Sequence, residues 1–208
     1  MVSLLRRRST ACVQGRTSLV LANPAALRYD REEHFEDNEG YDMIYALYTV
    51  VVLALIGCDQ LLKSWTVSHL ELGQSTGFLP GFLQLTRVHN YGAAWSSFSG
   101  KTVLLVAVTA VLLVAVAYLL LRRIVRHPLG LSAAMLVLGG GIGNMIDRIF
   151  RGYVVDMFDL EFMDYPIFNL ADCFVVVGVI LGAVYYLWFY EKYDARKKDD
   201  ATDADGDK

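Results

Sequence analysis

The chain has 208 residues, 55% of them hydrophobic, and a formal net charge of −3, with its apolar residues gathered in long runs instead of spread at a soluble packing period. Those runs exclude an ordinary soluble domain, since a spanning helix needs about 20 mostly apolar residues to cross roughly 30 Å of hydrocarbon. The small net charge, averaged over a basic loop, an acidic segment and a charged tail, gives no sign of a nucleic-acid partner. Cys12, Cys58 and Cys173 form no CxxC pair, and His34, His69, His89 and His127 are dispersed without an HExxH, so no metal site and no cofactor are expected.

Residues 1–42 carry Arg6-Arg7-Arg8 and a mixed-charge stretch around Arg31 to Gly40, and read as a cytoplasmic, largely disordered extension with at most a short helix near its middle. Met43, just before the first apolar run, is a second candidate start. A first span is predicted from about Ile44 to Leu62, with Asp59 close to its far end. In the connection that follows, Gly77 to Gly81 carries turn residues, and partial alternation predicts a short strand near Leu83 to Val88, part of a small sheet lying on the membrane surface. The second span, Thr102 to Leu121, contains no charge. The third, about Leu131 to Ile149, is crowded with glycine where helices can approach closely. The fourth, about Phe168 to Tyr190, has Asn169 and Asp172 in its first turns and an aromatic belt at its other end. Residues 191–208 form a charged tail, whose Asp-Ala-Asp-Gly run lacks the ligand spacing of a calcium loop.

Arg122, Arg123 and Arg126 follow span two, and Lys192, Arg196, Lys197 and Lys198 follow span four. The positive-inside bias places both basic segments, and both termini, in the cytoplasm. The expected fold is therefore an all-α membrane protein: four transmembrane helices, residues 43–190, with a small extracytoplasmic β-sheet cradle between the first and second helices.

Ionisable groups in or near a spanning helix are costly unless paired or wet, which makes them functional candidates. Asp59 in span one, Asn144, Asp147 and Arg148 in span three, and Asn169 with Asp172 in span four converge on one outward depth, and Asp156 can fold back to the same layer after Gly152. Offsets of three and four put Asn144 on the helical face of Asp147 and Arg148. Arg148 offers a rigid fork of donors for substrate backbone or lipid phosphate, whereas Asp147 beside it reads equally well as a structural carboxylate. If Asp156 and Asp172 meet, repulsion separates their proton affinities, and one can act as acid while the other activates water. Ion coordination or simple exposure remains open for that pair on spacing alone.

Five blocks carry a resemblance: Asp59-Gln60-Leu61-Leu62-Lys63, Val88 to Ser96, Gly143-Asn144-Met145-Ile146-Asp147-Arg148, Gly152 to Phe158 and Phe168-Asn169-Leu170-Ala171-Asp172. In this order they resemble the bacterial lipoprotein signal peptidases, or type II signal peptidases, across about 150 residues from Ile44 to Tyr190. The resemblance implies an aspartyl endopeptidase that removes signal peptides from diacylglyceryl-modified prolipoproteins, cutting before the lipidated cysteine, with sensitivity to globomycin-type cyclic peptides. It implies Asp156 and Asp172 as the catalytic pair, Asn90, Asn144, Arg148 and Asn169 as substrate-binding or supporting residues, and Asp59 and Asp147 in structural or supporting places. Prolipoprotein substrates and membrane phospholipid are the implied partners, and a monomer in the bacterial inner membrane, working near the extracytoplasmic surface, is the implied state. Trp95 stands where the family usually has phenylalanine, and the amino-terminal extension lies outside the usual pattern.

The rival outside enzymes is a proton- or cation-coupled membrane transporter, which should show broken helices or inverted halves; span two is uninterrupted. A GxGD intramembrane protease is disfavoured because Gly141-Ile142-Gly143 is followed by Asn144. Leu55-Ile56-Gly57-Cys58 resembles a lipoprotein cleavage box, but no lysine or arginine separates Met43 from the apolar run.

Overall fold

The computed structural model describes residues 24–92 and 100–195, and of residues 24–42 and 195 the backbone alone. Readings that rest on Arg6 to Arg8, on Trp95 and on residues 196–208 lie outside the described residues. The chain divides into two units, residues 1–44 and 45–208. In the first, the described backbone from Pro24 is helical and is the start of α1 (Pro24–His69). That helix begins well ahead of the expected first span, where a short helix at most was anticipated. Pro24 suits a first helical position, and no later proline interrupts the run up to His69.

The second unit holds the rest of α1 with α2 (Thr102–Leu121), α3 (Pro128–Phe150) and α4 (Leu170–Trp188), followed by a π-helical turn, Glu191–Ala195. Four helical stretches, Met43–His69, Thr102–Leu121, Pro128–Phe150 and Leu170–Trp188, are long and apolar enough to cross a membrane. They match the four predicted spans, with α1 running one to two turns past Leu62. In α2 only Leu113 is buried, as expected of a helix whose surface is offered almost entirely to lipid.

α3 is the central helix, and its glycines explain why. A side chain at Gly139 would strike Leu55 of α1, one at Gly141 would strike Leu113 of α2, and one at Gly140 would fall 2.3 Å from the Ala171 carbonyl oxygen of α4. Without Cβ atoms the backbones close to van der Waals distance, which replaces the hydrophobic drive that lipid cannot supply. Pro128 starts α3, His127 Nδ1 accepts the Leu129 amide at 3.2 Å, and Gly152, at φ +78°, turns the chain after Arg151.

The sheet has three antiparallel strands in the order β1 (Ser75–Leu79), β2 (Leu83–Asn90), β3 (Val154–Leu160). The strand expected near Leu83 to Val88 is therefore present as β2. The sheet is not confined to the connection between the first two helices, because β3 lies between α3 and α4. Val154 and Val155 begin that strand. Val155 and Met157 alternate inward and pack with Leu70 and Leu85, joined by Leu62 and Val67, so the sheet sits on the end of α1. Strand alternation then turns Asp156 to the other face.

Candidate active site

Asp156 owes its position to register. Val88 pairs with Asp156 and Asn90 with Val154, so Val88, Asn90 and Asp156 share one face, two residues apart along β2. Asn90 Nδ2 donates to Asp156 Oδ2 at 2.9 Å, and Asn90 Oδ1 accepts the Gly92 amide at 2.8 Å. Asn169 Nδ2 donates to the other oxygen, Oδ1, at 2.7 Å. Asp156 is 2% exposed. Burial, and after it the Asp172 charge, push its carboxyl up to about 7, against the opposing effect of the two asparagine donors.

Asp172 is placed by the start of α4. Asn169 caps the helix: its Oδ1 accepts the Asp172 amide at 3.0 Å, and Asp172 Oδ2 accepts the Asn169 amide at 3.2 Å. This reciprocal capping box satisfies two donors that a helix start otherwise leaves open. Asn144 Nδ2, from α3, donates to Asp172 Oδ1 at 2.7 Å. Asn169 thus touches both carboxylates, holding Asp156 through its amide nitrogen and Asp172 through the cap. Each of the four carboxylate oxygens receives one N–H donor and keeps a lone pair for other partners.

Both aspartates line a cleft of about 400 Å³ whose walls also include Asn90, Asn144, Arg148 and Asn169 with Val88, Val154, Ile167, Val175 and Val176. Arg148 Nη2 donates to the Gly92 carbonyl at 3.0 Å and Nη1 to the Asn144 carbonyl at 3.4 Å, so the guanidinium braces the chain leaving β2 at the edge of the cleft. All six residues expected to act on or around substrate therefore meet in one place. His89 also borders the cleft, stacked on Tyr153 at 3.8 Å, and burial with the nearby Arg87 and Arg151 charges holds its imidazole below its usual range.

Asp59 and Asp147 lie behind the cleft, both fully buried, and both hold Lys63, which is fully buried as well. Lys63 Nζ is 2.8 Å from Asp59 Oδ2, 3.1 Å from Asp147 Oδ2 and 2.8 Å from Asn144 Oδ1. Asp59 Oδ1 accepts the Ala171 amide at 3.0 Å, and Asp147 Oδ2 accepts the Val155 amide at 3.2 Å. Gln60 adds donors to Asp59 Oδ2 at 3.2 Å and to the Gly143 carbonyl at 3.1 Å. Arg151, half-exposed, stands 3.5 Å from Asp147 Oδ1 and balances the second carboxylate. Removing one member of such a buried ionic group costs about 3–5 kcal/mol, because its partner is left charged and dry. Asp147, next to Arg148 in sequence, pairs with Lys63 and with Arg151, one turn further along the helix.

Lys63 and Gln60 belong to the Asp59 block of the sequence, which by itself gives them no role. The signal was present in the four-residue spacing of Asp59 and Lys63, which brings opposite charges together on one helical face. Predicting the end of the span at Leu62 left Lys63 just outside it, as an ordinary flanking lysine. Among the described residues no group of His, Cys, Asp and Glu is arranged to hold a metal ion.

The family model described as Signal peptidase (SPase) II matches residues 51–188. The lipoprotein signal peptidase of Enterococcus faecalis is 42% identical over 147 residues, covering 69% of this chain and 89% of that protein. That of Lactiplantibacillus plantarum is 44% identical over 136 residues, covering 64% and 89%. Among solved structures, a bacterial membrane enzyme determined by the in meso method at 2.3 Å resolution superposes with a TM-score of 0.65 at 32% identity, covering 68% of this chain and 88% of that one. A second, determined by the same method at 1.9 Å, gives 0.64 at 32% identity, covering 69% and 94%. With the family model spanning most of the chain, four helices apolar enough to cross a membrane and a cleft lined by two aspartates, this chain belongs to the signal peptidase II family, the lipoprotein signal peptidases.

Proposed function

We propose that Asp156 and Asp172 are the catalytic pair with which this protein removes signal peptides from diacylglyceryl-modified prolipoproteins, cutting before the lipidated cysteine. One observation carries the assignment: two aspartates from different elements line one cleft and are bridged by the single side chain of Asn169. Asp156 holds the resting proton, since burial and its neighbour's charge raise its proton affinity toward neutrality. Asp172 takes a proton from the attacking water while Asp156 donates to the scissile carbonyl, and the roles reverse as the amine leaves. The chemistry asks for two carboxyl groups, one water and a dry cleft.

Asn90, Asn144 and Asn169 hold the two carboxylates, and Arg148 orients the substrate backbone at the mouth of the cleft. The apolar side of the cleft, with Ile167, Val175 and Val176, takes the signal-peptide side of the scissile bond, while the diacylglyceryl chains stay in lipid. Residues 43–190 form the peptidase domain, flanked by the extension of residues 1–42 and the tail 191–208. Basic residues after α2 and α4 support cytoplasmic termini, with the three-stranded sheet and the cleft at the extracytoplasmic surface of a multi-pass bacterial membrane protein. A monomer surrounded by phospholipid is the proposed state, since a single copy supplies both aspartates and the three asparagines that hold them.

The test is cleavage of a purified diacylglyceryl-modified prolipoprotein by the detergent-solubilised protein, with the new amino terminus located by mass spectrometry. Cleavage immediately before the modified cysteine supports the reading, and folded protein that leaves the substrate intact defeats it. The pH profile tests the proton assignment. A carboxyl raised to about 7 loses its proton as pH rises through that value, so kcat/KM should fall about tenfold per pH unit above it. A profile level from pH 6 to pH 9 would show that the pair does not hold its acid there.

A further inference from the structure

Lys63 lies outside the cleft, yet one side chain connects it to Asp172. Its ammonium has three hydrogens and no acceptor, and it has three partners: Asp59 Oδ2 at 2.8 Å, Asp147 Oδ2 at 3.1 Å and Asn144 Oδ1 at 2.8 Å. The first two account for its charge. The third has a different consequence. A carboxamide presents an oxygen on one side and an NH2 on the other, and turning it over exchanges acceptor for donor. With Asn144 Oδ1 held by an ammonium, only its NH2 can face Asp172, which it reaches at 2.7 Å. The turned-over amide would set donor against donor at Lys63 and oxygen against oxygen at Asp172.

The other two amides of the site are fixed in the same way, by backbone donors. Asn169 Oδ1 accepts the Asp172 amide and Asn90 Oδ1 accepts the Gly92 amide, leaving both NH2 groups to Asp156. Asn144 is the one amide of the three fixed by a charged side chain, and that side chain is fully buried.

We propose that Lys63 is a positioning residue for the reaction: it locks the Asn144 carboxamide so that Asp172 always meets a donor at Oδ1, and the lone pairs left toward the cleft are the ones used for chemistry. This rests on the reading of Asp156 and Asp172 as the catalytic pair. The charged groups facing the link are Lys63 and Asp59 from α1, Asp147 and Arg148 from α3, Asp156 from β3 and Asp172 itself from α4. The other expected task of Lys63, neutralising Asp59 and Asp147, is shared with this one, and the experiment has to separate them.

Charge-matched variants do so. Asp59→Asn and Lys63→Met made together remove one buried charge of each sign and leave Asp147 with Arg151 at 3.5 Å, and a second set replaces Lys63→Met by Lys63→Gln, which retains a neutral donor. At equal thermal stability, the Met set should lower kcat by about 100-fold, the scale of a reacting group displaced from its productive geometry, with KM changed less than threefold. The Gln set should recover at least tenfold of that loss. Adding Asn144→Ala should cost wild type about 100-fold but the Met set less than threefold, since Lys63 acts through Asn144. Unchanged kcat in the Met set, equal activity in the two sets, or full additivity of Asn144→Ala would each overturn the proposal.

Asn144→Asp in the otherwise native chain gives a reading that does not depend on those sets folding. It keeps an oxygen for Lys63 but has no donor for Asp172, so kcat should drop about 100-fold in folded protein. Retained activity would mean that Asn144 serves only to satisfy Lys63. Full cleavage by Asp156→Asn would instead defeat the catalytic-pair reading and is scored separately.

Discussion

Asp156→Asn and Asp172→Asn are each expected to lower kcat for signal-peptide release by about 10²–10⁴-fold or more, since each removes one of two groups that move protons in the reaction. Asparagine matches aspartate in shape, so the cleft should survive. The cost in hydrogen bonds is specific. Both oxygens of Asp156 accept side-chain NH2 groups, from Asn90 and Asn169. An asparagine there sets its own NH2 against one of these donors and leaves it unsatisfied, at about 1–3 kcal/mol. Asp172→Asn meets the same conflict, with the Asn144 NH2 on one side and the Asn169 amide on the other. The measurement is product formation from a diacylglyceryl-modified prolipoprotein, with unfolding temperature taken on the same preparations. Native-like cleavage by either folded variant would remove that residue from the catalytic pair.

The second large effect concerns a residue without a functional group. Gly140→Ala places a methyl 2.3 Å from the Ala171 carbonyl oxygen and 2.9 Å from Val175 Cγ2. The carbonyl belongs to backbone in the first turn of α4, next to Asp172, and the Ala171 amide is itself held by Asp59 at 3.0 Å. Nothing there can turn aside, so α3 and α4 have to part. Overpacking of this kind costs about 1–3 kcal/mol. Separating the two helices also lengthens the Asn144 to Asp172 contact, and activity should fall about 100-fold even where the protein remains folded. Gly57→Ala is the control, because a Cβ at Gly57 meets nothing within 4 Å, and its stability should change by no more than about 0.5 kcal/mol. Equal unfolding temperatures and activities for the two variants would show that the α3–α4 contact is slack.

Much of this protein follows from its order of residues. Hydrocarbon imposes a length and a composition on anything that crosses it, so Thr102 to Leu121 could be read as a helix without reference to the rest of the chain, and the glycines of α3 marked the helix that others approach. The polar residues stood out for the same reason: a carboxylate or amide in apolar surroundings needs a partner, which singled out Asp59, Asn144, Asp147, Asn169 and Asp172 before any contact was known. What the linear pattern did not contain was the set of partners. β3 is short, buried on both faces and without clean alternation, and only its pairing with β2 shows that Asp156 shares a face with Asn90. Asp147 sits beside Arg148 in sequence, yet helical geometry turns it toward Lys63 and Arg151. Lys63 looked like the lysine that ends a span, and α1 continues past it to His69, burying it between two carboxylates and an amide. Composition and period decide which segments lie in lipid, because that cost is paid residue by residue. Which amide faces which carboxylate depends on distances of about 3 Å between separate elements, and those exist only once the helices and the sheet have packed.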